Sequence, residues 1–167
     1  TAGIGSATHM NLELFRISAG IEVLQLPMKG ASEAFTEVLT GRADFYFALP
    51  FQVRTHEKDG KILALAAGSP KRSALFPELP TTVEAGYPNS DYNFWVGALV
   101  AAKTPREIVL RLNREITAAV NLPEVREQIL KLGADPLTMS LPDFEEMIRQ
   151  EFVANAKLIK TAGIKIQ

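Results

Sequence analysis

The chain begins with a stretch that crowds several chemically active residue types together. Gly3 and Gly5, the hydroxyl residues Ser6 and Thr8, and His9 all precede or open a run with helical character. Such a set can serve nucleophilic catalysis by a serine with a histidine base, a glycine-rich cradle for phosphates, or an anion site at the start of a helix. Spacing is the first criterion for choosing among these three chemistries.

Catalysis and nucleotide binding are disfavoured by that spacing. Gly3 and Gly5 lack the third glycine and the preceding strand of a dinucleotide fingerprint, and no Gly-Lys-Ser/Thr of a P-loop follows. Ser6 does not lie in a Gly-x-Ser-x-Gly elbow. His9 follows three residues later on the same helix start, so we expect its ring to point outward beside Ser6 rather than across a cleft. We predict that the chain is not an enzyme, and hydrolysis of a carboxylic ester by Ser6 and His9 is the remaining enzymatic alternative.

Anion binding fits the same stretch better. The first turn of a helix has unpaired backbone N–H groups at the positive end of the helix dipole, and glycines let a ligand approach the backbone closely. The hydroxyls of Ser6 and Thr8 can add hydrogen bonds to the anion. A simple helix cap by one of these hydroxyls, which stabilises a helix by about 1 kcal/mol, explains the residues equally well. Both interpretations stay open at this stage.

A second candidate stretch is Pro27-Met28-Lys29-Gly30, which follows a predicted strand and precedes a predicted helix. It therefore lies at the carboxyl end of the sheet, where open α/β folds place their ligands. Lys29 can pair with an acid there, although a solvated loop lysine is the simpler interpretation of any single lysine.

Composition excludes several classes of function. The 18 Lys and Arg nearly balance the 19 Asp and Glu, and the net charge of -1 gives no electrostatic footprint for nucleic acid. The absence of cysteine excludes disulfides, thiolate zinc sites and a cysteine nucleophile. We expect no metal and no cofactor. No apolar run approaches the about 20 residues that span a bilayer. Because the first residue is not Met, Thr1 is interpreted as a processed or truncated end.

Short apolar runs alternate with amphipathic stretches in the first half, which is the βαβ pattern of a parallel sheet covered by helices. The predicted strands are Ile21 to Leu26, Asp44 to Leu49 and Ile62 to Ala67. The predicted helices lie at about Ser6 to Ser18, Gly30 to Thr40 and Phe51 to Lys58. In the first helix, the apolar spacing predicts that Glu13 and Arg16 face away from the core.

The second half is built differently. After a Pro-rich loop and the apolar run from Phe94 to Ala102, Thr104-Pro105-Arg106-Glu107 predicts a helix start with a capping box. Two further helices are expected, one from near Pro123 to Leu132 with Gly133 at C′, and one from Ser140 to Gly163 that buries Phe144, Ile148, Phe152 and Ile159. With three or four strands for about six helices, the C-terminal third looks like the returning part of something larger.

Several stretches together resemble one family, in the right order over nearly the whole chain. They are GIGSATH (3–9), ELF (13–15), MKG (28–30), GRAD (41–44), GKILALA (60–66), SPKRS (69–73), PTTVEAG (80–86) and KTP (103–105). The family is the Bug (TctC-like) periplasmic solute-binding receptors of tripartite tricarboxylate transporters. The resemblance implies an α/β fold of the periplasmic-binding-protein type II kind. Residues 1–93 would form its second lobe, a mostly parallel sheet with flanking helices, and residues 94–167 the strand and helices that return to a first lobe absent from this chain.

The resemblance also implies a function. Such a receptor captures a small organic carboxylate by closure of its two lobes and delivers it to membrane transporter subunits, which places the protein in the periplasm. We expect no nucleic-acid partner, and self-association through apolar surface that a missing lobe would leave exposed. The alternative is the ligand-sensing effector domain of a LysR-type transcription regulator. The ligand-binding residues that the resemblance and the two stretches predict are Gly5, Ser6, Ala7, Thr8, His9, Lys29 and Gly30.

This chain departs from the family at two of its positions. Met28 stands where members commonly have tyrosine, and Ala7 stands where they often have a hydroxyl residue.

Overall fold

The computed structural model describes residues 1–164, and six helices account for most of the regular structure in this range. The helices are α1 (Ala7–Ala19), α2 (Ala31–Leu39), α3 (Pro50–Lys58), α4 (Arg106–Val120), α5 (Pro123–Lys131) and α6 (Leu141–Ala162). All six lie where the sequence predicts helices. None of the helices within residues 1–164 is both long enough and apolar enough to cross a membrane.

Local signals account for most of the helix ends. Ser6 caps α1 by accepting a hydrogen bond from the His9 backbone N–H, and Ser140 caps α6 in the same way through Asp143. Gly20 and Gly163 end these two helices in the left-handed conformation. Gly133, with a φ of 76°, lies just beyond the C-cap of α5 as predicted.

The capping box expected at Thr104 is wrong. The helix α4 begins at Arg106, its N-cap is Pro105, and no side chain caps it. Pro105 has a ψ of 137°, so its own carbonyl accepts the first helical hydrogen bonds, from Ile108 and Val109. The helix therefore starts one residue too late for the Thr104 hydroxyl to reach the N–H groups of its first turn.

The three predicted strands do not join into a ladder within residues 1–164. In that range the one isolated β-bridge is the parallel pair Ala67 and Thr81. The backbone of the segment 21–28 bonds instead to Thr1, whose backbone nitrogen donates to Leu26 O (2.9 Å) and whose carbonyl accepts from Met28 N (2.9 Å). A cleft of about 290 Å³ is lined by residues from both 22–28 and 42–47. The two segments line that cleft, and no backbone hydrogen bond joins them directly.

The core is small and lies around α1 and α2. Its buried apolar residues are Met10, Leu12, Ala34, Phe35, Phe76 and Leu158. Beside it, the Phe15 ring makes edge contacts with the rings of Phe45, Phe47 and Tyr87, with centroids 5.0 to 6.2 Å apart. Helix α6 contacts α1 and connects the two halves of the chain.

Much apolar surface remains exposed, including side chains that the sequence predicts to be buried. In the predicted strands Leu24 is 89% and Leu63 is 76% exposed, and in α6 Phe152 is 73% exposed. Phe152 was expected on the buried face of its helix, so that prediction is wrong in this chain.

Candidate functional site

The loop before α1 is shaped by two glycines. Gly3 has a φ of 119° and Gly5 a φ of 76°, conformations that other residues rarely adopt. A Cβ on Gly3 would lie 3.3 Å from the carbonyl oxygen of Met28, so the absence of a side chain lets this loop approach the loop before α2. The two candidate stretches of the sequence are therefore neighbours in space.

The hydroxyls of Ser6 and Thr8 hold this loop together. Ser6 Oγ donates to Gly3 O (2.7 Å) and accepts from His9 N (3.3 Å), while Thr8 Oγ1 accepts from Ala2 N (3.0 Å). The two hydroxyl oxygens are 3.1 Å apart. Because the Ser6 proton is used on Gly3 O, Thr8 is the donor in that contact. The capping interpretation is thus confirmed, and a ligand can recruit the Thr8 proton only by displacing it from Ser6 Oγ.

Backbone donors remain at the start of α1. The amides of Ala7 and Thr8 have no hydrogen-bond acceptor among residues 1–164, whereas those of Gly5 and Ser6 bond to His9 Nδ1 and Gly3 O. The Ala7 and Thr8 amides belong to the first turn, where the helix dipole is positive. This arrangement leaves two adjacent N–H groups that can bind an anion.

His9 lies beneath the loop and is only 2% exposed. Its Nδ1 accepts a hydrogen bond from Gly5 N at 2.9 Å, and its Nε2 is buried 3.9 Å from Glu13 Oε1. The expectation that the ring points outward beside Ser6 is wrong, because the Gly5 amide and the buried carboxylate draw it inward. Ser6 Oγ and His9 Nδ1 each use other partners, so these two side chains do not form a nucleophile and base pair.

Glu13 is the largest departure from the helical pattern, because it is 1% exposed instead of facing solvent. Arg16 donates to its Oε2 through Nε (3.0 Å) and Nη2 (2.8 Å), and Gln25 donates to its Oε1. The hydrogen bonds to Glu13 raise the pKa of Arg16. Since Gln25 belongs to the segment after α1, this cluster ties α1 to that segment.

The loop before α2 presents a cation and a second helix start. Lys29 is exposed, and its ammonium has no carboxylate within ion-pair distance in residues 1–164. Its backbone N–H donates to Glu33 Oε2 (2.9 Å), and Gly30 occupies the N-cap of α2 without a side-chain cap. Lys29 and Gly30 therefore lie beside the first loop, joined to it through Met28 and Thr1.

Tyr46 is a buried polar group that residue type and spacing do not mark as a site residue. Its hydroxyl is buried without a hydrogen-bond partner among residues 1–164, close to Thr8. Burial raises the pKa of Tyr46. Tyr46 lines the cleft with Thr8. Tyr46 lies within the apolar run DFYFAL, and nothing in that run predicts that its hydroxyl lines the cleft.

The later stretches used for the resemblance meet in a structural cluster. Thr81 N donates to Glu84 Oε2 (2.7 Å) and Glu84 N donates to Thr81 Oγ1 (3.1 Å), while Arg72 pairs with Glu84 at 2.9 Å. The Thr81 backbone N–H and then Arg72 lower the pKa of Glu84. These residues brace a turn.

The comparisons with known proteins decide the family. The family described as "Tripartite tricarboxylate transporter family receptor" (TctC) matches residues 1–164. The chain belongs to this family. The protein BugT of Bordetella pertussis is 29% identical to it over 164 residues, which are 98% of this chain and 50% of BugT. The chain thus spans about half the length of that relative.

Solved structures agree on the fold. The structure described as R. palustris Rpa4515 with adipate is 30% identical to this chain, with a TM-score of 0.87. The aligned region covers 96% of this chain and 54% of the Rpa4515 chain. The periplasmic binding protein BugD is 28% identical, with a TM-score of 0.88, and the aligned region covers 100% of this chain and 56% of the BugD chain. The α/β fold of the periplasmic-binding-protein type is confirmed by this agreement. The comparisons give no support to a LysR-type effector domain.

The family is one of solute-binding receptors, not of enzymes, and its members are periplasmic binding proteins.

Proposed function

We propose that this chain is part of a periplasmic receptor that captures a small organic carboxylate for a tripartite tricarboxylate-type transporter. The observation that carries the proposal is the pair of amides at the start of α1, Ala7 and Thr8, which have no acceptor among residues 1–164 and lie in a chain of this receptor family. A related receptor binds a dicarboxylate, as its structure with adipate indicates. A positive helix end is suited to a carboxylate oxygen.

The loop residues divide the work of binding. The amides of Ala7 and Thr8 and the Thr8 hydroxyl donate to the carboxylate, while Ser6 holds the turn that presents them. Gly5 is exposed and has no side chain to block the approach of the ligand. Lys29, on the adjacent loop, supplies a positive charge, and Gly30 opens a second helix start beside it.

The remaining features of the proposal concern architecture and partners. Residues 1–93 form one lobe, and residues 94–167 return to the other lobe, so the carboxylate is enclosed by hinge closure. Trp95 supports this division, because its Nε1 donates to Glu151 of α6 (2.6 Å) and its ring packs on Phe144. The partners are the membrane subunits of the transporter. The near-neutral charge of the chain offers no surface for nucleic acid.

Calorimetric titration of the full-length receptor tests this function. Adipate and a panel of mono-, di- and tricarboxylates are compared with the corresponding amides. The proposal requires the acids to bind more tightly than their amides, because the helix terminus favours negative charge. Equal affinity for an acid and its neutral amide would refute it.

Two variants locate the site. Thr8→Ala removes one charge-assisted hydrogen bond and is expected to weaken binding by about 5- to 30-fold. Thr36→Ala is the matched control, since that hydroxyl is exposed on α2 and bonds to Ser32 O. Lys29→Ala is expected to weaken binding most at low salt, as for a partly solvated charge. Unchanged affinity in Lys29→Ala would remove this residue from the site.

A further inference from the structure

We propose that His9 is a positioning residue, whose neutral ring holds the Gly5 amide and thereby fixes the loop that presents its donors to the carboxylate. This inference rests on the proposed function and assigns His9 a role without ligand contact. It also assigns the Gly5 amide to the protein instead of to the ligand.

The bond between His9 and Gly5 is the side-chain hydrogen bond that restrains Gly5 itself. Gly5 N lies 2.9 Å from His9 Nδ1. Nothing comes within 4 Å of the place where a Cβ on Gly5 would lie, so packing does not hold this residue. Its φ of 76° is one of several that glycine adopts readily. Without the bond to the ring, the residue before Ser6 has no side-chain contact to keep it in this conformation.

The hydrogen bonds also specify the protonation state of the ring. Nδ1 accepts from an amide and therefore carries no proton, so the neutral ring has its proton on Nε2. Nε2 is buried and 3.9 Å from Glu13 Oε1, on the side of that carboxylate away from the Arg16 contact to Oε2. Nε2 has no hydrogen-bond partner among residues 1–164, so the ring orientation is set by the bond from the Gly5 amide to Nδ1.

The consequence for the ligand is a division of the amides in the loop. Gly5 N–H bonds into the protein and Ser6 N–H closes the turn to Gly3 O at 3.2 Å. The amides of Ala7 and Thr8 are left as the donors. If Gly5 turned away from His9, the Gly3 to Ser6 turn would keep its own hydrogen bonds but lose its tie to the His9 ring, so the two donors would be held less firmly in one direction.

Three substitutions of His9 in the full-length receptor separate positioning from packing. In His9→Asn, Oδ1 can take the place of Nδ1 as acceptor; in His9→Gln, the amide oxygen reaches only the position of Nε2; His9→Leu fills space without an acceptor. With adipate as the titrant, we expect His9→Asn to retain affinity within about threefold and both others to lose about tenfold or more, the loss of one hydrogen bond.

Stability provides the contrast. A leucine fills the buried site better than an asparagine, so thermal unfolding of the ligand-free variants is expected to rank His9→Leu at or above His9→Asn. The inference would be overturned if affinity followed the order of stability, so that His9→Leu bound adipate as tightly as His9→Asn or more tightly. The ring would then serve packing alone.

Nitrogen NMR tests the tautomer even if adipate does not bind. The Nδ1 resonance of His9 in the unliganded receptor is expected at the position of an unprotonated acceptor, and the Gly5 amide is expected to be protected from exchange in the parent and in His9→Asn but not in His9→Leu. A protonated Nδ1, or a Gly5 amide that exchanges freely in the parent, would overturn the inference. If the proposed function itself is wrong, the parent receptor will bind acids and their amides equally. The NMR results at His9 and Gly5 do not depend on that outcome.

Discussion

The buried carboxylate of Glu13 offers a sharp test of the energetics beneath the binding loop. Replacing Arg16 with methionine removes the cation but keeps most of the aliphatic volume. Glu13 is 1% exposed, whereas the Arg16 side chain is 19% exposed and also reaches Glu22 at 3.6 Å. In Arg16→Met the carboxylate is left buried with Gln25 as its remaining donor, and in Glu13→Gln the arginine keeps access to water. The two single substitutions are therefore expected to differ in their effect on stability.

The expected magnitudes follow from that difference in burial. Removing one partner of a buried ion pair and leaving the other charge uncompensated costs about 3 kcal/mol or more of unfolding free energy. Glu13→Gln loses hydrogen bonds without stranding a buried charge and is expected to cost about 1 kcal/mol. The double variant is expected to resemble Glu13→Gln, because it contains no unpaired charge.

Urea unfolding followed by circular dichroism measures these differences as a double-mutant cycle. A penalty in Arg16→Met no larger than that in Glu13→Gln would refute the reasoning that the charge is buried.

Two further predictions concern the loop and the surface. Gly3→Ala is expected to destabilise the protein by about 1–2 kcal/mol, because its φ is 119° and a Cβ would lie 3.3 Å from Met28 O. Gly30→Ala, at an extended φ of 179° with open space around it, is the control for stability, and equal losses of unfolding free energy in urea would contradict the argument. Residues 1–167 alone are expected to self-associate and to bind a hydrophobic dye. Their accessible surface is 11190 Å², compared with about 8,100 Å² for a compact protein of this mass, and Leu24 and Phe152 are among the exposed side chains. A monomer in sedimentation that also fails to bind the dye would disprove this.

The helices and most of their ends were predictable because their determinants are local. Ser6 and Ser140 cap with their own hydroxyls, and Gly133 and Gly163 adopt the left-handed conformation that ends a helix. The start of α4 was missed by one residue, since the choice between Thr104 and Pro105 as N-cap depends on a backbone angle and not on residue type alone.

The sheet and the burial pattern were less predictable because they depend on which segments meet. Alternation of apolar runs correctly indicated the α/β class, which the structural relatives confirm. It does not specify which backbone groups pair, and the bonds from Thr1 to the segment 21–28 lie outside any such pattern. The exposure of Leu24 and Phe152 likewise depends on what is present to cover them.

In the candidate site, the loop, its glycines and the helix start could be predicted from the residues, since these are neighbours along the chain. The partners of most polar groups depend on the folded arrangement of the segments. Glu13 is buried because Arg16 and Gln25 converge on it from two elements, and Tyr46 comes to Thr8 from a segment that follows α2. His9 turns inward towards the Gly5 amide four residues before it, so its orientation depends on the shape of the loop and not on a partner from another element. Helical periodicity contains no information about that loop or about partners on other elements.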